Sequence, residues 1–319
     1  MRKPDFFIVG APKCGTSAMN YYLMQHPEVF IGRKGGRSTR REDHMKYLDL
    51  SIHEVKEFHF FGSDLNFRSP RISEEEYLSY FSGATSEKRV GEASVWYLYS
   101  KRAAAEIREF SPHADIVIML RNPVDMMYSQ YSQMVYRGYE NLFSFEDALD
   151  AEEERKRGIN IPDTVPLIEN LLYREIVQYA QQVQRYLDVF TREKVHIIIF
   201  DDFRRDTAGV YTDTLRFLGV NEDYRPDLRV VNPNKRLRSP RLTSFLQKPP
   251  HIVRWLADVL LPQKLCQALF RELSRFNIRY ESRPPMDPQL RQRLQAELAP
   301  EVERLNDLIG RDLTHWIRS

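Results

Sequence analysis

The chain has 319 residues, room for one large α/β domain or two smaller ones, and its composition is that of an ordinary packed globular protein. With 47 basic against 45 acidic residues the formal net charge is +2, so no global attraction to nucleic acid or to a membrane surface is implied and any anion site has to be built locally. The two cysteines, Cys14 and Cys266, have no metal-ligand or CxxC spacing and the histidines are scattered, so no metal site is expected and a reducing, cytoplasmic setting is the default.

In chain order, the apolar run after Arg2 and Lys3 is too short for a signal segment and turns at a Gly/Pro pair, so Phe6 to Val9 reads as a first strand. The string "GAPKCGTS", Gly10 to Ser17, follows it and opens a helix over Thr16 to Gln25. Gly32 to Met45 is glycine-rich and basic, a surface insert. Further apolar runs suited to buried strands lie at Glu57 to Phe61, Arg89 to Ala93, Ile116 to Leu120 and His196 to Phe200, with helical stretches at Asp125 to Arg137, Leu171 to Phe190 and Tyr211 to Leu218 between or after them. Asp150 to Pro166 reads as a charged helix end and a loop, and Arg225 to Ser239 as a basic loop. Residues 240–319 read as helical, ending in an amphipathic pattern from Pro288 to Trp316. The most apolar stretch, around Ile252 to Phe270, is broken by Arg254, Asp258 and Lys264 and falls short of the ~20 residues a membrane span needs, so a soluble chain is expected. Strand and helix alternation predicts one α/β domain over 1–319, a three-layer P-loop-like fold with a mostly parallel sheet of about five strands and ligands at their carboxyl ends.

The Gly10 loop falls at that edge. A glycine-rich turn from strand to helix presents backbone N–H groups at the positive end of the helix dipole and suits anionic oxygen. Gly10 and Gly15 have the spacing of GxxxxGK[ST], but Thr16 stands where the nucleotide-triphosphate version has its lysine, and the lysine is Lys13. A second anion site is predicted at "LRNPVDMMYS", where Arg121 follows a strand, Asn122 is a helix N-cap, Pro123 is the first helical residue, and Ser129 lies in the second turn. An arginine fork suits a terminal phosphate. Glu57, in "KEFHFF", sits among aromatics that would raise its pKa, which fits a general base; His59 and Glu92 compete for that role.

These strings resemble the sulfotransferases that use 3'-phosphoadenosine 5'-phosphosulfate (PAPS), closest to the heparan-type and bacterial carbohydrate-type members. Pro12 to Ser17 is similar to PKxGT[TS], Arg121 and Ser129 to R-x7-S, Lys56 to Phe61 to KExxFF, and Glu92 onward to EKSxxYF with Ala93 in place of the lysine. The resemblance implies that Pro12, Lys13, Cys14, Gly15, Thr16 and Ser17 hold the 5' side of the nucleotide, with Lys13 at the bridging oxygen. It implies that Arg121 and Ser129 grip the 3'-phosphate, and that Lys235 and Arg236, in "NPNKRLRS", belong to a loop covering the cofactor. Glu57 would take the acceptor's proton, and Glu92 would orient the acceptor or Lys13. Tyr173 would line the acceptor cleft or pack in the core. The implied reaction moves a sulfuryl group to a hydroxyl or amine of a carbohydrate, another small metabolite or a carrier-bound acceptor, releases adenosine 3',5'-bisphosphate (PAP) and requires no metal. Two alternatives stay open: a P-loop small-molecule kinase with Asp201 and Asp202 on Mg²⁺, and a non-catalytic nucleotide-binding module. Neither the acceptor nor the oligomeric state is readable.

Overall fold

Residues Phe6–Gly10 (β1) are buried at every position, the pattern of a strand covered on both faces. β1 pairs in parallel with β3 (Arg89–Ala93) on one side and β4 (Asp115–Leu120) on the other, Phe6 standing opposite Gly91 and Asp115. β2 (Val29–Ile31) extends the sheet beyond β3 and β5 (Val195–Ile199) beyond β4, so the order is β2-β3-β1-β4-β5 and every pairing is parallel. Helices Thr16–Leu23, Ala103–Phe110, Tyr179–Val189 and Thr207–Leu218 occupy connections of the sheet and flank it, and Pro123–Arg137 starts just after β4. The three-layer α/β architecture is the one the sequence predicts. The computed structural model describes residues 2–33, 57–229, 231, 236–239, 276–279 and 283–318.

Contacts divide the chain into two compact units, Met1–Met126 with Glu175–Asn232 and Arg291–Ser319, and Met127–Arg174 with Pro233–Leu290. The first holds the five-stranded sheet. In the second, Tyr131, Phe145 and Tyr173 form an aromatic cluster with centroids 5.1 and 5.9 Å apart in sequence. Beneath it Arg155 pairs with Glu140 at 2.7 Å, both side chains at 0% exposure, and the Tyr173 hydroxyl donates to the second Glu140 oxygen at 2.8 Å. Tyr173 is therefore a core residue. The same unit contains β6 (Arg236–Leu237), antiparallel to β7 (Ile278–Arg279).

Two readings need correction. Glu57 to Phe61 is not a strand: its backbone N–H groups go to side chains, Phe58 to Ser94 Oγ at 3.1 Å and Phe60 to the Tyr97 hydroxyl at 3.1 Å, while His59 has a left-handed φ of 56° that no strand tolerates. Glu57 and His59 therefore do not share a strand face. The fifth strand of the sheet is instead Val29–Ile31, on the outer side of β3. The helix expected over Leu171 to Phe190 is interrupted, running as a 3₁₀ turn at Ile168–Leu171, a short helix at Tyr173–Ile176 and a longer one at Tyr179–Val189. Near the end of the chain the helix Pro288–Ile309 stops at Gly310 (φ 67°), and Thr314–Trp316 forms a separate 3₁₀ turn.

Candidate active site

The carboxyl ends of β1, β3, β4 and β5 meet in the first unit. At the end of β1 the chain runs so close to the segment after β3 that a Cβ on Gly10 would lie 2.6 Å from Leu98 Cβ and 2.7 Å from the Val95 carbonyl oxygen. The Ala11 N–H prolongs the sheet by donating to the Met119 carbonyl at 2.7 Å. Left-handed φ angles at Lys13 (61°) and Gly15 (90°) then curl the loop into the helix Thr16–Leu23. Gly15 is the N-cap and brings no side-chain acceptor, so the first-turn amides stay available to an external anion. Thr16 and Ser17 are buried and Lys13 is half-buried at the rim. Cys14 is free and buried; burial pushes its thiol up to about 12 despite the nearby Arg121 and Lys13. Its Sγ lies 3.2 Å from the Pro12 carbonyl and 4.0 Å from the Tyr179 hydroxyl, so it packs the loop as a neutral thiol.

Arg121 leaves the tip of β4 and returns to this loop. Its guanidinium donates to the Lys13 carbonyl at 3.2 Å and lies 4.8 Å from the centroid of the Phe200 ring, which follows β5. That ring also lines Gly15, where an added Cβ would stand 3.1 Å from Phe200 Cδ2. Asn122 caps the next helix as its sequence predicts, Oδ1 accepting from the Val124 amide at 3.0 Å. Among the described residues Arg121 forms no ion pair. Ser129, buried, lies on the same helix but belongs to the second unit. Arg236 is in β6 of that unit, and Lys235 falls outside the described residues, as do Lys56, Cys266 and the basic insert from residue 34 onward.

Two carboxylates occupy the β3 end of the same edge. Glu57 is buried, and its Oε2 accepts the Val95 amide at 2.8 Å. Glu92 is fully buried, accepts from the Tyr77 hydroxyl and takes a hydrogen bond from Ser94 Oγ at 2.7 Å. Burial pushes the Glu92 carboxyl up to about 7; those hydrogen bonds oppose the shift and the negative Glu57 adds to it. Ser94 thus ties Glu92 to the backbone that follows Glu57, donating to Glu92 while accepting the amide of Phe58 at 3.1 Å. His59 is half-buried and stacks on Phe67 with centroids 3.9 Å apart, away from any strand.

Sequence reasoning missed Ser94 and Phe200, whose parts depend on partners far along the chain. It also offered Asp201 and Asp202 to a kinase, but both are engaged. Asp201 accepts from the Trp316 indole at 2.7 Å and from His315 at 3.4 Å, while Asp202 pairs with Arg205 at 2.8 Å and with Arg311. Among the described residues no three His, Cys, Asp or Glu side chains group so as to hold a metal ion.

A parallel α/β sheet with a lysine-bearing glycine loop after its first strand, an arginine after its fourth and two buried acids beside them defines a protein of the P-loop-like class. Residues 4–224 match the Sulfotransferase family, and the chain belongs to it. The fold of a sulfotransferase from Alicyclobacillus acidocaldarius superposes with a TM-score of 0.70 at 34% identity, over 100% of both chains. The chain is 26% identical over 230 residues to the mouse bifunctional heparan sulfate N-deacetylase/N-sulfotransferase 4, covering 69% of this chain and 23% of that protein. It is 25% identical over 316 residues to human carbohydrate sulfotransferase 15, covering 84% and 54% respectively. It therefore spans about a quarter to a half of the length of these curated relatives. The expected cytoplasmic location is overturned: a further relative, 28% identical over 131 residues, is the membrane-associated sulfotransferase kil1 of Dictyostelium discoideum. Among the described residues no helix is long and apolar enough to cross a membrane.

Proposed function

We propose that the protein transfers a sulfuryl group from PAPS to a hydroxyl or amine of a carbohydrate acceptor. The observation that carries this reading is the convergence of Arg121 on the Lys13 carbonyl, which joins two cationic loops at one sheet edge. The donor set fits a nucleotide with phosphate at both its 3' and 5' positions: first-turn amides and the Thr16 and Ser17 hydroxyls for the 5' side, a guanidinium for the 3' side. Pro12, Cys14 and Gly15 shape the loop that presents them. Ser129 and Arg236 stay candidate contacts on the strength of the family resemblance, as does Lys235.

In-line transfer builds negative charge on the oxygen that leaves sulfur, and the Lys13 ammonium at the loop rim is the group suited to hold it. Glu57, fixed by the Val95 amide, accepts the proton released by the attacking hydroxyl or amine. Glu92 keeps Ser94, and through it the 57–58 backbone, in register. His59 is the less favoured base, because its ring is committed to Phe67.

The test is transfer of labelled sulfate from PAPS to a panel of glycans, phenols, lipids and carrier-bound hydroxyacids. Lys13→Ala should lower kcat by about two to three orders of magnitude, the ~3 to 4 kcal/mol scale of a preorganised charge-stabilising donor. Glu57→Gln should lower kcat while PAP binding is kept. Transfer surviving both substitutions at the parent rate would remove the assignment.

A further inference from the structure

Outside the residues matched to the family, the turn Thr314–Trp316 reaches into the edge of the sheet that carries Arg121. Trp316 is 1% exposed, and it grips both segments that flank that arginine. Its indole Nε1 donates to Asp201 Oδ2 at 2.7 Å, next in sequence to Phe200, whose ring packs between Gly15 and the guanidinium. Its carbonyl accepts from Asn122 Nδ2 at 3.1 Å, next in sequence to Arg121 itself. Gln295 Nε2 donates to the same carbonyl at 3.3 Å, and the Leu313 amide donates to Asn306 Oδ1 at 3.0 Å, so the turn is moored to the preceding helix.

We propose that Trp316 is a positioning residue for the nucleotide site, fixing Arg121 by holding the β4 and β5 loops together from behind. This rests on the nucleotide reading of Arg121 given above. Two properties of the arrangement argue for a functional tie. Among the described residues the Arg121 guanidinium meets the Lys13 carbonyl and the Phe200 ring, so its direction follows how Phe200 and the 121–122 backbone are placed. Trp316 contacts the residue beside each of them and leaves the guanidinium itself untouched. Arginine pays off in phosphate recognition through the direction of its fork, so a small rotation costs affinity without removing charge.

The experiment measures PAP binding by calorimetry and thermal unfolding in parallel, on the full chain, for the parent protein and four variants. Trp316→Phe keeps an aromatic ring but removes the indole donor; Asp201→Ala removes the same hydrogen bond from its exposed end; Asp201→Asn keeps an acceptor; Arg121→Ala tests the site itself. Expected are a roughly tenfold weaker PAP affinity for Trp316→Phe and Asp201→Ala, the size of one misdirected charge-assisted hydrogen bond, with near-parent affinity for Asp201→Asn. The KM for PAPS should rise in the same two variants while the acceptor KM holds. If Trp316→Phe and Asp201→Ala lower only the melting temperature, while Arg121→Ala still weakens PAP, the positioning role is refuted and the nucleotide site stands. If Arg121→Ala also leaves PAP affinity unchanged, both fall.

Discussion

Arg121 and Arg155 are two arginines that the fold treats in opposite ways. Arg155, in the second unit, has no exposure at all and spends its charge on Glu140, with Tyr173 closing the other carboxylate oxygen. Arg121, at the sheet edge, meets a carbonyl and a ring but, among the described residues, no acid. A buried charge without its counter-ion costs several kcal/mol, whereas one at a half-open edge keeps its water until a ligand replaces it. The first arginine is a folding element; the second is the one proposed to hold an anion.

That contrast breaks most visibly at Arg155. Arg155→Met should destabilise the protein by about 3–5 kcal/mol in chemical denaturation, since it strands Glu140, and leave PAP affinity per folded molecule unchanged. Glu92 is the acid analogue. Its carboxyl is pushed up to about 7 in the fold against 4.5 when free, so the stability it contributes is complete below pH 4.5 and is lost as pH rises through about 7. Denaturation midpoints measured from pH 4.5 to 8 should fall on the order of 3 kcal/mol more steeply in the parent than in Glu92→Gln. Arg121→Ala should behave in the reverse sense to Arg155→Met, with a melting temperature close to the parent's and PAP binding weaker by about 2 kcal/mol, read by calorimetry. Smallest is Ser94→Ala, which removes a hydrogen bond from Glu92 and another from the Phe58 amide; about 1–2 kcal/mol of stability and a moderate fall in kcat are expected, with the KM for PAPS unaffected.

The sheet and the anion loop were legible because their signals are local. Short, mostly apolar stretches between helical ones marked β1, β3, β4 and β5 within a residue or so, and Asn122-Pro123 announced its own helix start. The segment Glu57 to Phe61 misled for a physical reason: its aromatic content suits a strand, but its amides are satisfied by Ser94 and Tyr97, which are 36 and 37 residues away. The edge strand β2, which the sequence reading did not find, has only three residues, too few to show a period. Glu57 itself could be picked from its motif, yet the Val95 amide that fixes it could not. The same holds for Trp316, whose two decisive partners lie 115 and 194 residues back in the chain. No pattern in a window of sequence carries such pairings.

Val95 turns both faces of its peptide backbone toward the chemistry, its N–H to the Glu57 carboxylate and its C=O against the α-carbon of Gly10. Any displacement of that one residue would disturb both Glu57, the proposed proton acceptor, and the root of the proposed nucleotide loop. Under the proposed reading the donor and acceptor sides thus share one backbone support, and changes meant to alter acceptor choice would do best to vary what surrounds this turn while leaving the turn intact.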